Sequence, residues 1–284
     1  MKIAIFGETG QVASELIRRV PDGITLDVHG RARAEFMMPD LVSEVARKVR
    51  ADLIINAAAY TAVDRAETEP DVANTVNGAS VTALAEAAAE TGTPIIHVSS
   101  DYVFDGSGSA PKRPEETTAP LSAYGISKEA GEIGIRESGA RHVVLRTSWV
   151  FSAHGGNFVK TMLRLGTSGN ELAIVSDQVG GPTPAAAIAD ALYDIGRAMA
   201  DGHEGGVYHF AGLPDASWAD FAREIFRQAG MCASVRDIPT TEFPRPAVRP
   251  LNSRLDCSSL ERDFGIGRPD WKAGLSDVLK ELQA

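Results

Sequence analysis

The sequence predicts an α/β fold, a doubly wound parallel sheet with a smaller C-terminal substrate-binding region. Three observations carry this expectation. The segments Lys2–Phe6, Leu53–Asn56 and Ile95–Ser99 are short and almost wholly apolar, and each precedes a helix-forming stretch. Apolar runs of that length without polar alternation are strands buried on both faces, as in parallel sheets covered by helices. Directly after the first strand comes a glycine-containing turn, and beyond about residue 150 the regular alternation gives way to Pro/Gly clusters.

Taken in order, Lys2–Phe6 leads through Gly7-Glu8-Thr9-Gly10-Gln11-Val12-Ala13 into a helix over Val12–Val20. A strand, a glycine turn and a helix start bring backbone amides up to a pyrophosphate, and the glycines permit the tight turn and close approach. The spacing differs from the commoner dinucleotide fingerprint, with the small Ala13 standing at the third glycine. This context makes the sheet Rossmann-type and assigns Gly7, Thr9, Gly10, Gln11 and Val12 to a nicotinamide cofactor. A weaker strand, Ile24–Val28, and a helix, Leu41–Val49, complete β-α-β-α-β with Leu53–Asn56. Alanine-rich Ala79–Glu90 is the next helix, and Val143–Arg146 continues the sheet. Gly180-Gly181-Pro182-Thr183-Pro184 and Pro239–Pro250 read as loops. The expected division is a dinucleotide-binding domain over 1–150 and a mainly substrate-binding region over 151–284, with segments around 172–200 returning to the first domain.

At 284 residues, 44% hydrophobic and 23% charged, the chain is an ordinary globular protein. Its net charge of −10, without a basic run, argues against nucleic acid or an anionic membrane as partner. An anionic substrate therefore requires local cations. No apolar run approaches the roughly 20 residues that span a bilayer, and the short start Met1–Gly7 does not read as a signal peptide. Cys232 and Cys257 have neither metal nor redox spacing. A cytoplasmic location is expected.

The chemistry concentrates in Tyr124-Gly-Ile-Ser-Lys128. Residues four apart share a helix face, so a phenol with an ordinary pKa of about 10 stands beside an ammonium that stabilises its phenolate. That makes an acid for carbonyl reduction; alone, the pair is more often a chance feature of a solvated helix. Ser100 closes the Ile95–Ser99 strand, where an open parallel sheet presents its ligands. Its hydroxyl suits a developing alkoxide. At the end of the second strand, Asp27-Val28-His29-Gly30-Arg31-Ala32-Arg33 places Asp27 too early to hold a ribose. The arginines, Arg31 first, either face a 2′-phosphate, which favours NADPH, or form a solvated basic loop. NADPH is expected, with NADH left open.

Taken together, these features resemble the extended short-chain dehydrogenase/reductases, and more narrowly the subgroup that reduces a nucleotide-linked 4-keto-6-deoxysugar. The resemblance runs almost end to end, through Phe6–Gln11, Asn56–Asp64, Ser99–Phe104, Arg146–Phe151, Asn157–Met162, Asp177–Thr183 and Arg249–Leu255. It implies a catalytic triad of Ser100, Tyr124 and Lys128, and hydride transfer to carbon 4 of dTDP-4-dehydro-6-deoxy-L-mannose to give dTDP-L-rhamnose. Further cofactor contacts follow from it at Glu35, Phe36, Ala57, Ala58, Ala59, Tyr60 and Ser99, together with Tyr124 and Lys128. Substrate contacts follow at Ser100, Asp101, Trp149, Asn157, Gln178, Arg249 and Arg254, with Arg245 in the same arginine set, the arginines suiting a diphosphate. Several of these positions read equally well as strand ends, core packing or solvated loop.

One departure concerns assembly. Relatives that dimerise around a magnesium ion carry a carboxylate near residue 186, where this chain has Ala186. Glu15 and Asp190 remain, so a homodimer stays open and no metal is expected. The alternatives are a reductase or epimerase of another nucleotide-sugar, or a non-catalytic subunit resembling the regulatory subunit of methionine adenosyltransferase. The intact triad favours an enzyme.

Overall fold

The computed structural model describes residues 1–283 and contains a six-stranded, fully parallel sheet. Its strands are Lys2–Phe6 (β1), Thr25–His29 (β2), Leu53–Asn56 (β3), Ile95–Ser100 (β4), His142–Thr147 (β5) and Gly205–Phe210 (β6). They lie in the order β6-β5-β4-β3-β1-β2, each neighbour parallel. The chain steps outward from β1 to β2 and then back past β1 to β3. A reversal of this kind opens a crevice at the carboxyl ends of the strands.

Each face of the sheet is closed by helices whose apolar side chains repeat at helical spacing. On one face Gln11–Arg18 and Ala185–Ala200 press Val12, Leu16, Ile188, Leu192, Ile195 and Met199 onto Ile3, Ile5, Leu53 and Leu145. On the other, Pro39–Lys48, Ser80–Thr91 and Ala123–Glu137 cover Ala4, Phe6, Ile54, Ile95 and Val144. The second of these carries alanine at half of its buried positions, which lets its backbone ride close to the strands. A separate apolar core lies beyond the strand ends. There Phe158–Gly166, Trp218–Ala229 and Trp271–Gln283 gather Phe151, Phe221, Phe226 and Trp271, flanked by the parallel pair Leu172–Val175 and Val235–Ile238. Among the described residues no helix is long and apolar enough to cross a membrane.

The first five strands stand within a residue or two of their expected places. β6 is the unannounced one. Its sequence, Gly-Gly-Val-Tyr-His-Phe, lacks the continuous apolar run that marks the others. Gly205 enters the sheet at φ +97°, and a Cβ there would stand 1.9 Å from the His142 carbonyl oxygen. Gly205→Ala should therefore lose about 1–3 kcal/mol from the backbone conformation alone, more with the clash. A fall in the denaturant midpoint at unchanged slope is the expected result, and wild-type stability would contradict it.

Candidate active site

A cleft of about 1340 Å³ runs along the carboxyl ends of the strands. Its floor is the turn after β1. Gly7 takes φ +114°, and a Cβ on it would meet the backbone of Ala57 and Ala58 at 3.0 Å, so the β1 and β3 turns can nest only with glycine there. Gly10 then caps helix Gln11–Arg18 without a side-chain hydrogen bond to the first turn. The leading amides, with the positive end of the helix dipole, suit a pyrophosphate. Thr9, Gln11, Val12, Ala57, Ala58, Ala59 and Tyr60 line the same cleft. Gln11 also has a structural task, since its Oε1 accepts from Asn157 Nδ2 at 2.9 Å and ties the phosphate turn to the C-terminal half.

Of the two arginines after β2, Arg33 is spent on Asp27 at 3.4 Å, while Arg31 lines the cleft, 88% exposed and 3.5 Å from Glu35. The two arginines thus differ in placement: Arg31 lines the cleft and Arg33 does not. Glu35 and Phe36 also line the cleft, although Phe36 is largely core, its ring edge-on to Phe6.

Tyr124 and Lys128 project from the first turns of Ala123–Glu137, whose start is fixed by Ser122 accepting from the Gly125 amide at 3.1 Å. Both are buried, and both line the cleft with Ser99, Ser100 and Asp101. The Ser100 hydroxyl donates to Asp101 Oδ1 at 3.1 Å and accepts from the Tyr102 amide at 3.2 Å. Burial pushes the Asp101 carboxyl up to about 6 against hydrogen bonds from Ser253 and Ser100. Ser99 turns the other way: its hydroxyl donates to Glu132 at 2.6 Å, leaving only its backbone side to the cleft.

Tyr124 is pushed up to about 12, first by burial and then by the Asp101 charge, with a hydrogen bond to Ser100 opposing. The Lys128 amino nitrogen donates to the Val98 carbonyl at 2.8 Å and lies 3.0 Å from His97 Nε2. Lys128 is itself pushed down to about 8 by burial, against the charge of Glu132. Both members of the pair are in place in the cleft.

At the far wall Trp149 adopts φ +50°, the one positive φ outside glycine among the described residues. Strain of that kind gathers at functional sites. Its ring stacks on Trp218 at 3.7 Å between centroids and 11° between planes, and Phe158 closes on Trp218 at 4.6 Å. Trp218 and Phe158 were not singled out in the sequence. The signal available for Trp218 was the Ser217–Asp220 capping box, which sets it at a helix start. Asn157 lines the cleft, yet its side chain mainly caps Phe158–Gly166 by accepting from the Lys160 amide at 3.1 Å.

Gln178 and Arg254 are not among the cleft-lining residues. Gln178 accepts from Trp218 Nε1 at 3.1 Å and donates to Thr240 at 3.0 Å, so it steadies the tryptophan from behind. Arg254 faces Asp215 at 3.5 Å and Asn252 at 3.1 Å. Of the same arginine set, Arg245 and Arg249 do line the cleft, and they share the single carboxylate of Asp64. Two guanidinium groups on one carboxylate leave net positive charge at the rim, the local cation an anionic substrate needs on a chain of charge −10.

These features are matched in known proteins. A family model described as RmlD substrate binding domain matches residues 1–284. The dTDP-4-dehydrorhamnose reductase of Escherichia coli K12 is 43% identical over 293 residues, covering 99% of this chain and 98% of that protein. The chain belongs to the dTDP-4-dehydrorhamnose reductase family. Another member, from Sinorhizobium fredii, is 43% identical over 96% of this chain and 94% of its own length. Among solved structures of the family, that from Clostridium acetobutylicum superposes with a TM-score of 0.93 at 34% identity over the whole of both chains. The Bacillus anthracis family member, solved in complex with NADP, gives 0.92 at 31% identity over 99% of each.

Outside the cleft, Glu15, His154 and Glu281 bring ligand atoms within 4.8 Å of one another. Arg18 enters the same cluster, 2.7 Å from Glu15 and 3.3 Å from Glu281, and makes it a mixed ion-pair network at the surface.

Proposed function

We infer that this protein reduces the 4-keto group of dTDP-4-dehydro-6-deoxy-L-mannose with NADPH, giving dTDP-L-rhamnose. The observation that carries this reading is the meeting of Ser100, Tyr124 and Lys128 in one cleft with the glycine turn at one end and the Trp149–Trp218 stack at the other, in a chain of this family. NADPH supplies the hydride. Gly7 and Gly10 with the amides of the first helix hold its pyrophosphate, and Arg31 accounts for preference for the 2′-phosphate.

Tyr124 donates its proton to the oxygen that gains charge as the carbonyl is reduced, and Ser100 hydrogen-bonds the same oxygen. To do so, Ser100 turns its proton from Asp101 toward the substrate, so Asp101 fixes the resting rotamer. The stacked tryptophans form an apolar wall that keeps water from the reacting carbon, while Arg245 and Arg249 face the diphosphate. Gln178 supports Trp218, and Arg254 lies behind the wall rather than on the substrate. Residues 1–150 with the returning Ala185–Ala200 and Gly205–Phe210 segments serve the cofactor, and most of the remainder serves the nucleotide-sugar.

NADPH oxidation should be measured with enzymatically generated dTDP-4-dehydro-6-deoxy-L-mannose and with other 4-keto nucleotide-sugars. The first should give the highest kcat/KM, with NADPH preferred over NADH. Absence of oxidation with that sugar, or a higher kcat/KM with another, would overturn the substrate assignment.

A further inference from the structure

Lys128 is joined to two residues with no place in the mechanism above. Asn56, at the end of β3, and His97, within β4, are both 0% exposed, and Lys128 is 1% exposed. Asn56 Oδ1 accepts from the Ala58 amide at 3.1 Å, which turns the side-chain NH₂ toward His97 Nδ1 at 3.0 Å. An NH₂ only donates, so Nδ1 accepts and the neutral ring carries its proton on Nε2. Nε2 lies 3.0 Å from Lys128 Nζ. An ammonium has no lone pair to receive that N–H, whereas a neutral amine has one and still donates to Val98 O.

We propose that Asn56 and His97 are a positioning pair for Lys128: the amide locks the imidazole in its Nε2–H tautomer, and that N–H favours the neutral amine, making the lysine a titrating group rather than a fixed cation. With Lys128 charged, the ring must shift its proton to Nδ1 and set it against the Asn56 NH₂, a donor facing a donor in a buried site. A doubly protonated ring is no escape, because burial and then the Lys128 charge hold His97 well below its ordinary value. The other titratable groups bearing on Lys128 are Tyr124 one turn earlier, Asp101 at the end of β4, and Glu132 one turn later, which favours the cation and is itself paired with Arg146. The burial that brings Lys128 down to about 8 acts in the same direction as the lock.

The role in turnover rests on Lys128 serving the reductase reaction; the tautomer does not. Long-range ¹⁵N–¹H spectra of ¹⁵N-histidine-labelled enzyme without substrate should show His97 protonated at Nε2 on the alkaline side of the Lys128 transition, the resonance being assigned by its loss in His97→Gln. A proton on Nδ1 throughout would overturn the proposal. In kcat against pH, His97→Gln should move the limb governed by Lys128 upward by about 1 pH unit, since glutamine can turn its carbonyl toward the ammonium. Asn56→Asp, nearly isosteric, should move the limb the same way by accepting from Nδ1–H and freeing Nε2, and it keeps the test open if the glutamine variant folds poorly. An unmoved limb in the folded variants overturns the proposed coupling. If no 4-keto sugar is turned over, the substrate assignment fails while the spectra still decide the lock.

Discussion

Replacing Tyr124 with phenylalanine is expected to lower kcat by about 10²–10⁴-fold, the usual contribution of a positioned general acid, with NADPH affinity nearly unchanged. The separation of the two effects follows from the surroundings. The ring sits edge-on to Tyr102 at 5.5 Å between centroids, a contact phenylalanine retains, so the cleft keeps its shape and loses one proton donor. Stopped-flow hydride transfer beside a cofactor fluorescence titration makes the measurement. Near-normal turnover would remove Tyr124 from the chemistry, and a parallel loss of cofactor binding would make it a structural residue.

The largest loss of stability should come from Arg146→Leu. Arg146 reaches from β5 to Glu132 on the helix that carries Tyr124 and Lys128, with contacts of 2.9 and 2.7 Å, and both partners are almost fully buried. Removing one member of a buried pair typically costs about 3–5 kcal/mol, because the remaining charge is left uncompensated. Arg136, at 3.2 Å and partly exposed, places the expected deficit near the lower end. The pH dependence has a definite sign. In the parent protein burial pushes the Glu132 carboxyl up, but hydrogen bonding and charge from Arg146, with Ser99 and Arg136, prevail and hold it below the ordinary range. Its stabilisation is therefore present above the unfolded pKa of about 4.3 and lost as pH falls through the lower folded value. In the variant, burial prevails and Glu132 protonates more readily in the folded state, so the deficit is full at neutral pH and narrows toward acid. Denaturant unfolding at both pH values tests this; a deficit that does not change with pH would show that lost packing, not the stranded charge, is responsible.

What could be read from the sequence divides along a physical line. β1, β3 and β4 announce themselves because a strand buried on both faces is apolar at most of its positions. The glycine turn, Ser100, and Tyr124 with Lys128 are legible because their chemistry depends on spacing within one element or on a strand end. β6 is hidden because its entry depends on Gly205 and Gly206, both at positive φ, and on the close approach of Gly205 to His142. The Trp149–Trp218 stack and the Asp64–Arg245 pair are hidden because their partners come from distant segments, the latter 181 residues apart. Gln178 and Arg254 were legible as polar residues in family motifs, but motif position does not say whether a side chain faces the cleft or supports the wall behind it. The protonation of Lys128 lay beyond reach for a similar reason, since it depends on His97 and Asn56 in two other strands.

The threading of the sheet also bears on how the chain is made. One face of the strands is covered by Ala185–Ala200, and the edge beside β5 is closed by Gly205–Phe210. Neither exists when the first 150 residues leave the ribosome. Ile3, Ile5, Leu53 and Leu145 then lack much of their cover, and β5 presents an open edge of the kind that invites mispairing. The nascent sheet must wait for about 60 further residues before it can complete its own core. Synthesis thus couples the two halves: the cleft is assembled from both sides at once, and an unfinished chain has no sealed sheet on which to hold a nucleotide.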